Sequence, residues 1–237
     1  IRMNSVKNIK HYYSRFGFGL SLEDYIRFKK SNSFNASAHL SRQIEARDYR
    51  PLRISKATTP LRFKEIMGME QSDRKEKIEA DRKVVIAING EWISEMAVTT
   101  NPLREKMSLF WHDHFACKPK TSYMTSSYLE LIRKEALGSF RSLLHGVAKE
   151  PAMLLYLNNQ QNRKGHPNEN FAREVMELFT LGIGNYSEQD TKESARAFTG
   201  WSVGHDKRFK LNYRQHDNGA KTFFGETKRW TGEEVID

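Results

Sequence analysis

Apolar positions along most of this chain recur at helical spacing, and only the C-terminal part breaks into alternation. Between about Asp73 and Thr99, Ile78, Val85, Ile88, Trp92 and Met96 follow one another at steps of three, four and seven, which is one face of a helix. At 1.5 Å per residue it spans roughly 40 Å. Asn101-Pro102 joins a good N-cap to a proline at the first helical position, starting a helix that runs through Phe115. Further helices are expected at Tyr128 to Leu137, Phe140 to Ala148, Ala152 to Leu157, Glu169 to Leu181 and Glu188 to Trp201. Gly138 and Gly182 stop two of them, and Ser187 opens the last.

Earlier in the chain, Ser21-Leu22-Glu23-Asp24 resembles a capping box, and Phe34 to Tyr49 carries Leu40 and Ile44 on one face. Pro51 and Pro60 bracket a linker-like stretch. After Trp201, Phe209, Leu211 and Tyr213 alternate with Lys210, Asn212 and Arg214, as in a strand. Asn218-Gly219 then suits a type I′ turn, with Lys221 to Phe224 returning as the second strand and His216 facing Lys221. The expected fold class is therefore mainly α: a multi-helix globular domain over 1–237, with a less regular helical part at 1–60 and a C-terminal β-hairpin at 205–226.

Composition changes this picture in three places. An apolar share of 38% in 237 residues supplies one continuous core. The longest apolar run, Val84 to Ile88, is far too short for a membrane-spanning helix. Cys117 stands alone, so neither an internal disulfide nor a cysteine-rich zinc site forms, and the compartment stays open. The chain opens at Ile1 and stops just after the helix-start pattern Thr231-Gly232-Glu233-Glu234, so it reads as a fragment cut at both ends.

The net charge of +10 invites a nucleic-acid reading, but its location weakens it. Residues 1–83 hold 19 basic and 10 acidic side chains, while 161–237 hold 12 of each. In the long helix those charges interleave as on an ordinary solvated face. Nucleic acid thus ranks below the alternatives as a partner.

Three constellations could carry chemistry. His112 and His114 form a His-x-His pair, yet on a helix His114 joins the apolar stripe while His112 lies about 180° from it, so the two cannot share a metal unless the helix ends first. The plain reading makes His114 a hydrogen-bonded core histidine and His112 a surface or cleft residue. The densest polar array follows Asn168, a natural N-cap. Asn170, Arg173, Glu174, Glu177 and Leu181 fall within about a 100° arc, with Phe171, Val175, Leu178 and Phe179 opposite. Either Glu169, Arg173 and Glu177 form an exposed charge ladder, or the arc lines a cleft where a carboxylate acts as base or cation ligand and Arg173 grips an anion. A divalent cation is compatible with three carboxylates, though their spacing matches no standard metal motif. Finally, His216, Asp217 and Lys221 cluster at the expected hairpin tip, where they serve proton transfer or merely turn chemistry.

The long strings Phe110-Trp111-His112-Asp113-His114-Phe115, Glu150-Pro151-Ala152-Met153-Leu154-Leu155-Tyr156-Leu157-Asn158, Asn168-Glu169-Asn170-Phe171-Ala172-Arg173-Glu174 and Ala195-Arg196-Ala197-Phe198-Thr199-Gly200-Trp201 resemble a bacterial family known only as domain of unknown function 1800. Its start is also similar to His11-Tyr12-Tyr13-Ser14-Arg15-Phe16-Gly17-Phe18-Gly19. Asp113 and Val175 depart from it, standing where Asn and Leu are commoner. The resemblance implies the N-terminal half of a longer protein and a periplasmic or extracellular site. It implies no activity, catalytic residue or cofactor.

Whether the chain is an enzyme is left open by these readings. A hydrolase-like or ligand-binding site would draw on Glu169, Arg173, Glu174, Glu177, His112, His216 and Asp217, with Asn158, Asn162, Asn168, Asn170 and Lys221 as binding groups. The amide-rich run Asn158 to Asn162 just before the carboxylate helix favours it. The alternative is a non-catalytic scaffold or binding module for another exported protein, a polysaccharide or an envelope component.

Overall fold

The computed structural model describes residues 2–3, 5–31, 33–46, 49–52 and 68–237. Its helices are α1 (Val6–Phe16), α2 (Leu22–Ser31), α3 (Ala36–Glu45), α4 (Gln71–Val98), α5 (Pro102–His114), α6 (Ser122–Glu135), α7 (Phe140–Lys149), α8 (Pro151–Tyr156), α9 (Asn170–Glu174), α10 (Glu188–Ala197) and α11 (Gly232–Ile236). The expected mainly helical class is what folds. The linker expected between Pro51 and Pro60 lies, beyond Leu52, outside the described residues.

Starts follow their caps. Asn101 accepts from the Arg104 amide, Ser187 and Asp190 close a full capping box, and Thr231 and Glu234 close another on α11. The main core gathers α5 to α11 around Phe115, Tyr128, Ile132, Met153, Phe171 and Phe198. A smaller cluster of Ile9, Tyr12, Tyr13 and Phe28 holds α1 to α3 together. Polar staples join the two: Gln43 accepts from the Leu103 amide at 3.0 Å, and Asn101 Nδ2 donates to the Gln43 carbonyl at 3.1 Å.

The long helix α4 forms where its apolar spacing placed it, but only its C-terminal half packs. Ile88 and Trp92 are buried, whereas Ile78 is 50% exposed and every residue from 71 to 80 faces solvent. Near its middle, Asp81 accepts from the Ser122 amide at 3.0 Å and so steadies the start of α6.

The β pairing differs from the expected hairpin at 205–226. Strand β3 (Trp201–Val203) pairs antiparallel with β4 (Phe209–Leu211), and β5 (Lys221–Phe223) turns at Phe224-Gly225 onto β6 (Glu226–Lys228). A short antiparallel pair of β1 (Arg2–Met3) and β2 (Phe34–Asn35) lies at the N-terminal end. Asn218-Gly219 does not close a hairpin, because side chains have captured the backbone around it. Asp217 Oδ1 accepts from the Gly219 amide at 2.8 Å, and Lys221 Nζ donates to the carbonyls of Asp217 and Gly219. Gly200 bends the chain into β3 at φ +80°, where a Cβ would sit 2.6 Å from the Asn212 carbonyl.

Candidate functional site

The polar helix departs from regular α geometry halfway along. After Glu174 the chain continues from Val175 to Thr180 as a π-helix, with the Leu181 amide reaching back five residues to the Met176 carbonyl at 2.7 Å. Thr180 Oγ1 donates to the Val175 carbonyl at 2.7 Å, and His114 Nε2 takes the Phe179 carbonyl at 3.0 Å. His114 therefore fixes this wide turn by hydrogen bond, half-buried among Phe110, Trp111, Phe115 and Phe179. The extra residue per turn rotates the faces. Met176 is buried in place of Leu178, which the regular 100° step had put on the apolar side and which is 58% exposed.

The charged stripe mostly binds itself. Arg173 forks onto both oxygens of Glu188, each at 2.9 Å, and reaches Glu169 at 3.1 Å. Glu177 accepts the Tyr186 hydroxyl at 2.5 Å. Glu174 lies deeper, and burial, reinforced by Glu177, raises its carboxyl above the usual range. His112 sits elsewhere, against the rings of Trp92 and Tyr128, where burial lowers its pKa and favours the neutral ring. Among the described residues His112 makes no hydrogen bond or ion pair with the stripe. Nor does any group of three or more His, Cys, Asp or Glu there hold a metal-ligand arrangement.

His216, Asp217 and Lys221 do come together, but not across a hairpin. His216 is buried, with Nδ1 2.8 Å from the Thr199 carbonyl. Asp217 accepts from Arg196 Nε at 2.8 Å, while Arg196 also donates to Glu193 at 2.7 Å. Lys221 is 1% exposed; burial lowers its pKa, and its ammonium is spent on the two turn carbonyls. These contacts tie α10 to β5.

The amide-rich loop has a direction that its composition did not reveal. Asn159 and Asn162 point inward and are almost wholly buried. Asn162 Nδ2 donates to Asn159 Oδ1 and to the Ala195 carbonyl, and its Oδ1 accepts from the Asn168 amide. Asn159 Nδ2 donates to the Trp201 carbonyl at 3.0 Å. Asn170 donates to the Leu157 carbonyl, and Asn168 accepts from the Asn170 amide. Asn158, at φ 59°, supplies the left-handed bend that ends α8.

While Asn159 and Asn162 turn inward, the loop leaves the neighbouring amides outside. Gln160, Gln161, Arg163, His166, Pro167 and Asn168 line an open cleft of about 550 Å³. A tight turn through Gly165 (φ +81°) closes Arg163 on His166 and puts Lys164 at its tip, held by the Gln215 carbonyl at 2.7 Å. Gln160 lines the cleft, while its Oε1 is turned out of reach of solvent and has no hydrogen-bond partner among the described residues.

A family model described as "Protein of unknown function (DUF1800)" matches residues 11–237. The chain belongs to this family. No curated protein and no solved structure matches it. For this DUF1800 chain, then, the residues themselves carry the functional argument. Of the sequence-derived candidates, only Asn168 faces the cleft; Gln160, Gln161, Arg163 and His166 were not singled out as site residues. The amide run marked the right loop, but a loop has no side-chain period from which to read its outward face.

Among the described residues Glu150, also unmarked, is the carboxyl shifted furthest from its ordinary value. Burial lifts it to about 7, Ser127 donates to its Oε1 at 3.0 Å, and Oε2 has no partner among the described residues. Beside it, burial and the Glu150 charge raise the Cys117 thiol to about 12, which keeps it protonated and unreactive at neutral pH.

Proposed function

We propose that this chain is a binding protein whose cleft beside the amide-rich loop receives a hydroxylated, negatively charged ligand of the acidic polysaccharide class. The observation carrying the reading is the lining of the cleft, which joins the amides of Gln160, Gln161 and Asn168 to the basic side chains of Arg163 and His166. A sugar hydroxyl can both donate to and accept from such amides. Gln161 and Asn168 offer further amide donors and acceptors, and Arg163, His166 and the nearby Lys164 favour an anion.

Binding is better supported than cleavage. A glycoside hydrolase needs two carboxyl groups flanking the bond. Here Glu169 is held by Arg173, Glu177 by Tyr186, and no carboxylate lines the cleft among the described residues.

Calorimetry with galacturonate oligomers, against neutral cello-oligosaccharides, tests the reading. The acidic oligomers are expected to bind and the neutral ones to bind more weakly. Gln160→Ala should weaken binding about tenfold, the loss of roughly 1.4 kcal/mol from one hydrogen bond. Arg163→Ala should weaken it and flatten its salt dependence. No binding of either sugar, or unchanged affinity in both variants, overturns the proposal.

Family kinship also supports a periplasmic or extracellular location, where such polysaccharides occur. The full-length protein is expected in the fluid released by osmotic shock or in the medium; recovery only with the cytoplasmic fraction contradicts this.

A further inference from the structure

The positive charge at the cleft does not stop at its rim. Two stretches of chain meet there: residues 158–168, with the amide loop and its Gly165 turn, and residues 207–216, with β4 and the turn after it. The Gly200 amide donates to the Asn162 carbonyl at 2.9 Å, the Asn212 amide to the Gly200 carbonyl at 2.8 Å, and the Lys164 amide to the Gln215 carbonyl at 2.7 Å. Neither stretch contains an Asp or a Glu, and together they carry Arg163, Lys164, Lys207, Arg208, Lys210 and Arg214.

None of these six pairs with a carboxylate among the described residues. The acids bordering the two stretches are placed otherwise. Glu169 is held by Arg173 and Asp217 by Arg196, while Asp206 accepts from the Arg208 amide and offsets charge only at the far end of β4. Arg163, Lys164, Lys210 and Arg214 are all exposed and keep an uncancelled positive charge. Among them stands Tyr213, 75% exposed, at the first corner of a turn that is closed twice: the Asn212 carbonyl accepts from the Gln215 amide, and Asn212 Oδ1 accepts from the Arg214 amide. A ring held out on a fixed turn offers an apolar face with little entropy to lose.

We propose that Tyr213 and Arg214, joined to the cleft across Lys164, form a second binding position for the same acidic polysaccharide. A chain seated in the cleft continues over Lys164, lays the C–H face of one sugar ring on Tyr213 and sets a carboxylate against Arg214. This rests on the reading of the cleft given above. Single-stranded nucleic acid fits less well, because it stacks successive bases on several rings. The only other Phe, Tyr or Trp in the two stretches, Phe209, packs against the core.

Calorimetric titration of the whole chain with trigalacturonate and hexagalacturonate tests the extension. The hexamer is expected to bind about tenfold more tightly than the trimer, since its second half binds as part of the same molecule. Tyr213→Ala should bring the hexamer down to the affinity of the trimer, and Tyr213→Phe should keep the gain. Arg214→Ala should flatten the salt dependence of hexamer binding. The inference is overturned if the hexamer gains nothing over the trimer, if the gain survives in Tyr213→Ala, or if oligothymidylate displaces the hexamer at a lower concentration than unlabelled hexamer does. Binding of the trimer without that gain leaves the cleft reading standing and removes this one; no binding of either sugar removes both.

Discussion

Replacing Glu105 by alanine is expected to cost about 3–5 kcal/mol of folding stability, the range for removing one partner of a buried ion pair. Glu105 and Arg133 are 3% and 1% exposed in their side chains and meet at 2.8 Å. Arg133 Nε also donates to both Glu105 oxygens, and Trp92 Nε1 donates to Glu105 Oε2 at 2.8 Å. The alanine variant leaves the indole N–H without its acceptor and the Arg133 charge with Glu130 alone. Desolvation, rather than attraction, sets the size of the effect, so a swap of both residues should be milder than either alone. Glu105→Leu with Arg133→Met is expected to recover at least half of the single-variant loss. Urea unfolding of the cycle checks this, and a loss below about 1 kcal/mol for Glu105→Ala would contradict the buried pair.

Glu150→Gln is expected to act the other way, stabilising the protein by roughly 3 kcal/mol at pH 8, since each unit of pKa is worth about 1.36 kcal/mol. The carboxyl rises from an ordinary 4.5 to about 7 because burial penalises its charged form, with only Ser127 opposing. A raised folded-state value means that the folded chain holds the proton more tightly than the unfolded one. The corresponding stability is fully present below pH 4.5 and is lost as pH climbs through 7. Glutamine keeps the neutral shape at every pH, so its advantage should shrink to under about 1 kcal/mol by pH 5. Thermal melts of both proteins from pH 5 to 8 decide the matter; parallel curves would place Glu150 in water instead.

Neither position was conspicuous in the sequence. Lys149-Glu150-Pro151 has the composition of a solvated connection, and its burial arises only because α7 and α8 fold back over α6 at Ser127 and Tyr128. Local signals did better where one residue decides a local outcome. Asn101, Ser187 and Thr231 cap helices as their chemistry dictates. Apolar spacing located α4 but could not say which half would find a partner, because the same period serves a packed face and a bare one. The π segment defeated the helical wheel, which assumes a constant turn; Leu178 and Met176 exchanged places as a result. Strand alternation at Phe209–Leu211 was legible, its partner was not, since pairing is settled by the tertiary position of Trp201–Val203.

The same distinction governs the site. Residue types such as Glu169, Arg173 and Glu177 advertised chemistry, and the fold closes them on one another through Arg173, Glu188 and Tyr186. The amides of the preceding loop are divided by the fold: Asn159 and Asn162 become structure, and Gln160 and Gln161 face the open cleft.

The most direct test of that division is a proton–nitrogen correlation spectrum of the folded chain recorded during titration with galacturonate oligomers. Saturable movement of the Gln160, Gln161 and Asn168 side-chain amides is expected, with the Asn159 and Asn162 amides and the Glu169 to Glu177 backbone nearly still. Shifts confined to the charged stripe, or absent from the Gln160 amide at saturation, would contradict it.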